Sequence, residues 1–374
     1  MRVNVAVIGG GVIGLAIAWR AAQQGLRVTL ADPAPGGGAS RVAAGMLAPV
    51  GEAHFGESEL LQLSLDSWRL YPRFTDELQS VSGRPSGYRE CGTLLVARDA
   101  DDNASLAREY RFRVAEGLRV ERLSSRECLA LEPGLAPSIR GGILAAGDHQ
   151  VDPRLLAAAL LAACERSGVD VVRSRASLLV SAGRVAGVST EEGHDRPADA
   201  VVIAAGCWTP LVTGLPAEAV PPVRPVKGQI LRLGGAAPPA QRVIRGLDVY
   251  LVPRADGSVV VGSTVEERGF DTAVTAGAVY GLLRDARELL PDVAELELVE
   301  VAAGLRPGTP DNAPLIGATS VPGLIMATGH YRNGVLLAPI TAEIVAALLA
   351  GRPALPGAVA FAPDRFAKLA PVPA

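Results

Sequence analysis

Gly9, Gly11 and Gly14 stand in a G-x-G-x-x-G spacing, and an acid, Asp32, follows them. Each position in that spacing has a physical task. Gly9 allows a tight turn, Gly11 lets a pyrophosphate approach the backbone, and Gly14 lets a helix pack closely on a strand. The N-terminus of the helix that follows presents N–H groups and a partial positive charge to the phosphates. Asp32 can accept both hydroxyls of an adenosine ribose. The chemistry is dinucleotide binding, and the motif alone leaves FAD and NAD both open.

A second group lies far along the chain. Gly329-His330-Tyr331-Arg332-Asn333-Gly334-Val335-Leu336-Leu337 is a glycine-rich turn between an apolar strand and a helical stretch. A helix start of this kind can aim its N–H groups at a second part of a cofactor. Arg332 suits an anion, because its fork matches a carboxylate with two parallel hydrogen bonds. Arg306 follows the same logic in Gly304-Leu305-Arg306-Pro307-Gly308, expected to be a loop fixed by Gly and Pro. Tyr250 falls on a strand over 249–254, where a tyrosine ordinarily packs. Lys227, one of two lysines with Lys368, falls in a Val-Lys-Gly-Gln turn and is expected to be solvated as readily as to reach a site.

The elements that must position these residues follow from pattern. Residues 3–8 form a short apolar run, 15–24 a helix closed by Gly25, and 27–31 a second strand ending at Asp32, which together make a βαβ unit. Residues 33–39 are a Pro- and Gly-rich loop. The next stretch, 40–47, is too rich in Gly and Ala for a solvent loop and suits close approach to a flat cofactor. Helical periodicity recurs over 58–78, 104–116 and 275–290, and a short helical turn spans 125–131. A helix begins after Asp152-Pro153, an N-cap followed by proline at the first helical position. Strands are expected over 88–96, 120–123, 169–172, 177–181, 184–190, 297–302 and 324–327. Residues 200–205 are apolar throughout, as a strand buried on both faces requires. Residues 221–261 suggest an antiparallel sheet with Pro-rich turns, and 334–350 a closing helix. The chain thus alternates between apolar βα segments and turn-rich β segments, which implies two interleaved domains.

Composition narrows the classes. The chain has 374 residues, 49% hydrophobic and 20% charged, so it is globular and long enough for two domains. A net charge of −3 gives no electrostatic case for nucleic acid or an anionic membrane. Cys91, Cys128, Cys164 and Cys207 are scattered without a C-x-x-C, and with four histidines they provide no metal-ligand spacing and no disulfide framework. The apolar start carries the dinucleotide turn and reads as a core strand, not a signal peptide. No apolar run reaches the roughly 18–20 residues of a membrane span. A reducing, cytoplasmic setting is expected.

Taken in order, the N-terminal fingerprint, Ala43-Ala44-Gly45-Met46-Leu47, Ala204-Ala205-Gly206-Cys207-Trp208, Pro225-Val226-Lys227-Gly228-Gln229, the segment 303–309 and the segment 329–337 resemble the FAD-dependent amine oxidases of the D-amino-acid oxidase superfamily. Within it they are most similar to the glycine oxidases of the thiamine-biosynthesis type. The resemblance covers nearly the whole chain, and its last two motifs are the specific ones. It implies an α/β fold: a Rossmann-like FAD domain of the glutathione-reductase type (1–83, 141–216 and 304–374), interleaved with a substrate domain on an antiparallel sheet (84–140 and 217–303). It implies that FAD is held at Gly9, Gly11, Val12, Ile13, Gly14, Asp32, Pro33, Ala39, Ser40, Ala44, Gly45, Met46, Ser177 (through backbone atoms) and Gly206. The same holds for His330, Tyr331, Arg332, Asn333, Gly334, Val335 and Leu336 of the second turn. Arg332, Arg306 and the hydroxyl of Tyr250 would hold the substrate carboxylate, and Val265 would border the substrate pocket. His330 is given a packing or flavin-contact role, since direct hydride transfer needs no enzymic base. Related sarcosine oxidases carry a flavin-linked cysteine shortly before this Thr-Pro-Asp; Gly304 stands there, ahead of Thr309-Pro310-Asp311, so the FAD should be non-covalent.

The implied reaction is oxidation of glycine or another small amine by dioxygen, giving 2-oxo acid, ammonia and hydrogen peroxide, with imine for the thiazole of thiamine. Rival readings are a D-amino-acid dehydrogenase, a sarcosine oxidase, an NAD-dependent dehydrogenase and a non-catalytic flavin-binding protein. No metal and no nucleic-acid or membrane partner is expected; a homo-oligomer is.

Overall fold

The N-terminal strand Asn4–Ile8 sits near the middle of a six-stranded sheet because both of its faces are apolar. Val5 and Val7 point into a helical layer, and Ala6 and Ile8 into a layer on the other side. Across the sheet the strands run Leu315–Ala318, Leu324–Thr328, Ala200–Ile203, Asn4–Ile8, Arg27–Ala31 and Asp170–Val172. All neighbours are parallel except the edge pair Leu315–Ala318 with Leu324–Thr328. The helical layer comprises Val12–Gln23, Ser58–Ser82, Pro153–Arg166 and Ala338–Leu349. The opposite layer is a small antiparallel sheet, Ala176–Ser181, Arg184–Thr190 and Asp195–Pro197, packed through Leu178, Val185 and Val188. The computed structural model describes residues 3–352 and 357–366; the part of the expected last segment at 353–356 and 367–374, with Lys368, lies outside the described residues.

A second, eight-stranded sheet runs Glu297–Gly308, Arg224–Gly234, Val259–Gly262, Tyr250–Pro253, Val243–Arg245, Thr93–Ala97, Gly141–Ala145 and Glu121–Leu123. It is antiparallel apart from the pair Val243–Arg245 with Thr93–Ala97. Leu231, Leu251 and Val261 on one face pack against the amphipathic helix Ala276–Leu289. Ile230, Val252 and Val260 on the other face meet Ala44, so this face looks toward the parallel sheet.

Several expectations are corrected here. The strand expected over 88–96 is two pieces, Arg89–Glu90 and Thr93–Ala97, separated at Gly92, whose φ of +76° no extended strand tolerates. Arg306 is not in a loop: the strand Glu297–Gly308 runs on through it, pairing Arg306 with Val226. Pro307 is accommodated because that strand is the sheet's edge. Lys227 is likewise on a strand, not in a turn. The closing helix starts at Ala338, after a 3-10 turn at Tyr331–Asn333, so its N-terminus lies later than the glycine-rich pattern suggests. Gly141–Ala145 belongs to the second sheet, and Glu297–Gly308 crosses position 304.

Candidate active site

The two sheets face each other across a cavity of about 830 Å³, within the ~300–1,000 Å³ typical of small-molecule sites. One end is the fingerprint turn. Gly9 has φ +109°, and a Cβ there would lie 2.4 Å from the carbonyl of Ala204. A Cβ on Gly14 would lie 1.9 Å from the carbonyl of Gly9, so this glycine serves helix–strand contact. Around Gly11, by contrast, the nearest atom to a built Cβ is Ser40 Oγ at 3.2 Å. The backbone can be approached there, and no side chain of its own caps the helix start. Ser40 Oγ accepts from Val12 N at 3.0 Å. The Asp32 carboxylate accepts from Gly10 N at 2.6 Å and Ala34 N at 2.7 Å, which orients it at the tip of its strand. Pro33, Ala39, Ala44, Gly45, Met46, Ser177 and Gly206 line the same wall. The segment at Ala44 is held in place by Arg254, whose guanidinium reaches the carbonyls of Ala44 and Val151 and the side chain of Gln150. Burial pushes Arg254 down to about 10, which leaves it charged at neutral pH.

At the other end the wall comes from the second sheet and the second glycine-rich turn. Arg306 lies flat over Gly228, where a Cβ would come within 2.3 Å of both terminal nitrogens. Its fork donates to Ser263 Oγ at 2.7 Å and to the carbonyls of Thr264 and Lys227 at 3.2 and 3.3 Å. Tyr250, on the strand that pairs with Val259–Gly262, has its hydroxyl over Gly262. Burial raises its pKa, opposed by the Arg306 charge, so it remains a neutral donor at neutral pH. Arg332 stands over the ring of Tyr331, 5.0 Å from its centroid, and its Nη2 is 3.3 Å from Glu57 Oε2. Its Nε is buried without a partner, a donor that an anion in the cavity would satisfy. His330 is buried, with Nε2 3.0 Å from Thr341 Oγ1. Burial alone pushes it down to about 3, so it is a neutral packing group that takes up no second proton at neutral pH. Val265, Gly334 and Val335 also border the cavity.

Of the expected site residues, Gly14, Asn333 and Leu336 do not reach the cavity wall. Gly14 is a contact glycine. Leu336 is in the core, with its carbonyl accepting from Ser67 Oγ at 2.6 Å. Asn333 faces a small recess beside His54 and Glu57 on the far side of the turn. Lys227 is 1% exposed, not solvated, and is turned away from the cavity: its Nζ is 2.7 Å from Asp271 and 3.9 Å from Glu266. Sequence reasoning missed Ser263 and Glu52, both on the wall. Neither belongs to a motif with a recognisable spacing; Ser263 could have been found only as the neighbour of Arg306 across the sheet. All four cysteines are free, and no group of three or more metal-ligating side chains occurs among the described residues. Among them, too, no helix is long and apolar enough to cross a membrane.

A long cavity with a phosphate-type turn at one end and guanidinium donors at the other fits an extended dinucleotide with an anionic substrate beside it. A built Cβ on Gly304 would lie 2.9 Å from the Val42 side chain, so the wall is tight where sarcosine oxidases carry their cysteine.

Comparison with known proteins gives the same direction. The family model described as DAO, FAD dependent oxidoreductase, matches residues 4–348. The bifunctional protein ThiO/ThiG of a Nostoc species is 37% identical over 93% of this chain, which spans only 53% of that relative. The chain thus covers about half the length of such fused relatives. The glycine oxidase of Geobacillus kaustophilus is 35% identical, with 93% of each chain covered. The crystal structure of glycine oxidase from that organism superposes with a TM-score of 0.90, at 34% identity over 97% of this chain and 99% of that one. With the cavity and both turns in place, the chain belongs to the DAO family of FAD-dependent oxidoreductases.

Proposed function

We propose that this chain oxidises glycine and other small amines or D-amino acids to the 2-oxo acid, ammonia and hydrogen peroxide, and that the intermediate imine serves thiamine thiazole synthesis. The observation that carries the reading is that Arg306, Tyr250 and Arg332 border one end of a single cavity whose other end is the dinucleotide turn. Two guanidiniums and a neutral phenol are the donors a carboxylate needs. Holding the carboxylate fixes Cα and its hydrogen in one orientation and removes the entropy cost of finding it. FAD, when bound, supplies the two-electron acceptor for that hydrogen and its electron pair, and the route to dioxygen. The neutral, buried His330 leaves the proton inventory of the site unchanged during this step. The amine reacts uncharged. The relatives support the substrate class through their names, glycine oxidase and ThiO/ThiG. Gly304, with no thiol to offer, supports a non-covalent cofactor.

The test is a peroxide-coupled screen of glycine, sarcosine and D-alanine on the purified protein reconstituted with FAD. Yellow protein that releases peroxide with at least one of them is expected. A flavin that these amines reduce without peroxide would make the chain a dehydrogenase. A flavin that none of them reduces would overturn the reading.

A further inference from the structure

Three carboxylates border the cavity: Asp32, Glu191 and Glu52. Asp32 and Glu191 belong to the ribose end. Asp32 N donates to Val172 O at 3.0 Å, and Glu191 N donates to Arg175 O at 3.2 Å, a few residues further along. Glu52 lies at the opposite end. Its neighbour Gly51 accepts from Arg245 Nη1 at 2.7 Å, and Arg245 is the cross-strand partner of Tyr250. Tyr250 in turn pairs with Gly262, next to the Ser263 that receives Arg306.

The backbone entering Glu52 is clamped. Asp148, fully buried, accepts from Val50 N at 3.1 Å and Gly51 N at 2.7 Å. Arg113, 2% exposed, donates to Val50 O at 2.9 Å and Gly51 O at 2.8 Å. So much anchoring under a loop residue preorganises the side chain that follows. Yet the carboxylate of Glu52 accepts no hydrogen bond from the described residues. The nearest cation, Arg245 Nη1, is 3.8 Å away and committed to Gly51 O. A carboxylate with only 14% of its side chain exposed normally has hydrogen-bonded partners. Glu52 lines the main cavity, and on its other side it borders the small recess beside His54 and Glu57.

We propose that Glu52 is the amine-side anchor of the substrate, accepting N–H from the ammonium or amine of the amino acid whose carboxylate Arg306, Tyr250 and Arg332 hold. The end of the cavity then carries donors and an acceptor for a zwitterion, and it discriminates against acids of the same size that lack nitrogen. The inference rests on the amino-acid reading above. An N-substituted amine offers fewer N–H groups to Glu52, so glycine is favoured over sarcosine at equal pocket size.

The experiment compares the KM of glycine, in the peroxide assay, with the inhibition constant of acetate in the FAD-loaded wild type and Glu52→Gln. The variant keeps the shape and removes the charge. KM for glycine should rise roughly ten- to hundred-fold, the worth of a charge-assisted hydrogen bond, while acetate inhibits as before. Glu52→Asp, which retains the charge, should recover part of the loss. If Gln weakens glycine and acetate equally, Glu52 is only a structural support and the proposal fails; if it weakens neither, the proposal fails as well. A wild type that oxidises no small amine removes the amino-acid reading itself, a result distinct from either.

Discussion

Gly228 owes its identity to Arg306. A methyl group at that position would fall 2.3 Å from both terminal nitrogens of the guanidinium, and the flexible end is what must move. Gly228→Ala should therefore displace the fork while leaving the sheet and the flavin spectrum intact. We expect kcat/KM for the amine substrate to fall by about ten-fold or more, as loss of a charge-assisted bond would produce; undiminished turnover would mean the fork does not hold substrate. His330 tests the buried end of the second turn. Its folded pKa is depressed to about 3 from 6.5. Below pH 6.5 the unfolded chain takes up a proton that the folded chain refuses, so stability falls as pH drops from 6.5 toward 3 and is unaffected above 6.5. His330→Gln should flatten that acid limb, by about 1.6 kcal/mol between pH 6.5 and 5 in denaturant titrations of the apoprotein. Equal slopes for variant and parent would refute the assignment. At this scale the sequence was readable where spacing constrains backbone, as at Gly9 and Asp32. It was silent at Glu52, whose importance comes from neighbours distant in sequence.

The segment 263–274, between the strand Val259–Gly262 and the helix Ala276–Leu289, shows what element packing adds. Val265 on this segment borders the cavity, and Lys227 and Gln229 bind it to the strand beneath. Lys227 Nζ is buried, while its partner Asp271 is 45% exposed. Lys227→Met removes the buried charge and leaves a carboxylate that water can solvate, so the desolvation relief offsets much of the lost pair. We expect a small change in global stability, within about 1–2 kcal/mol, but faster proteolytic cutting inside 263–274 and a higher KM. A variant cut no faster than the parent would show that the segment is held by other contacts. A solvated Lys227 was a fair expectation, since lysine is rarely buried without a partner. The partner comes from residue 271, which no local pattern connects with 227. The reading of Arg306 as a loop residue failed for a similar reason. Gly and Pro around it signal a loop locally, but a long partner strand overrides them, and a sheet edge tolerates the proline.

For the whole molecule, the βαβ start, the doubly buried strand at Ala200–Ile203 and the interleaving of two lobes were legible, because hydrophobic period and glycine spacing are local signals. The place of Gly141–Ala145 in the second sheet was not, because long-range pairing decides it. The cavity between the lobes makes the cofactor part of the core. Adding FAD to one hundred times its dissociation constant should stabilise the folded state by about 2.7 kcal/mol, seen as a rise in melting temperature. A melting temperature indifferent to FAD would contradict the placement of the site. The order of the parallel sheet also bears on synthesis. Ala200–Ile203 lies between Asn4–Ile8 and Leu324–Thr328. On the ribosome, its far edge stays open until residue 328 has emerged, leaving an apolar strand that any other nascent chain could pair with. The fold is therefore completed late in translation, and a ribosome stalled before that point would carry a sticky, unfinished sheet.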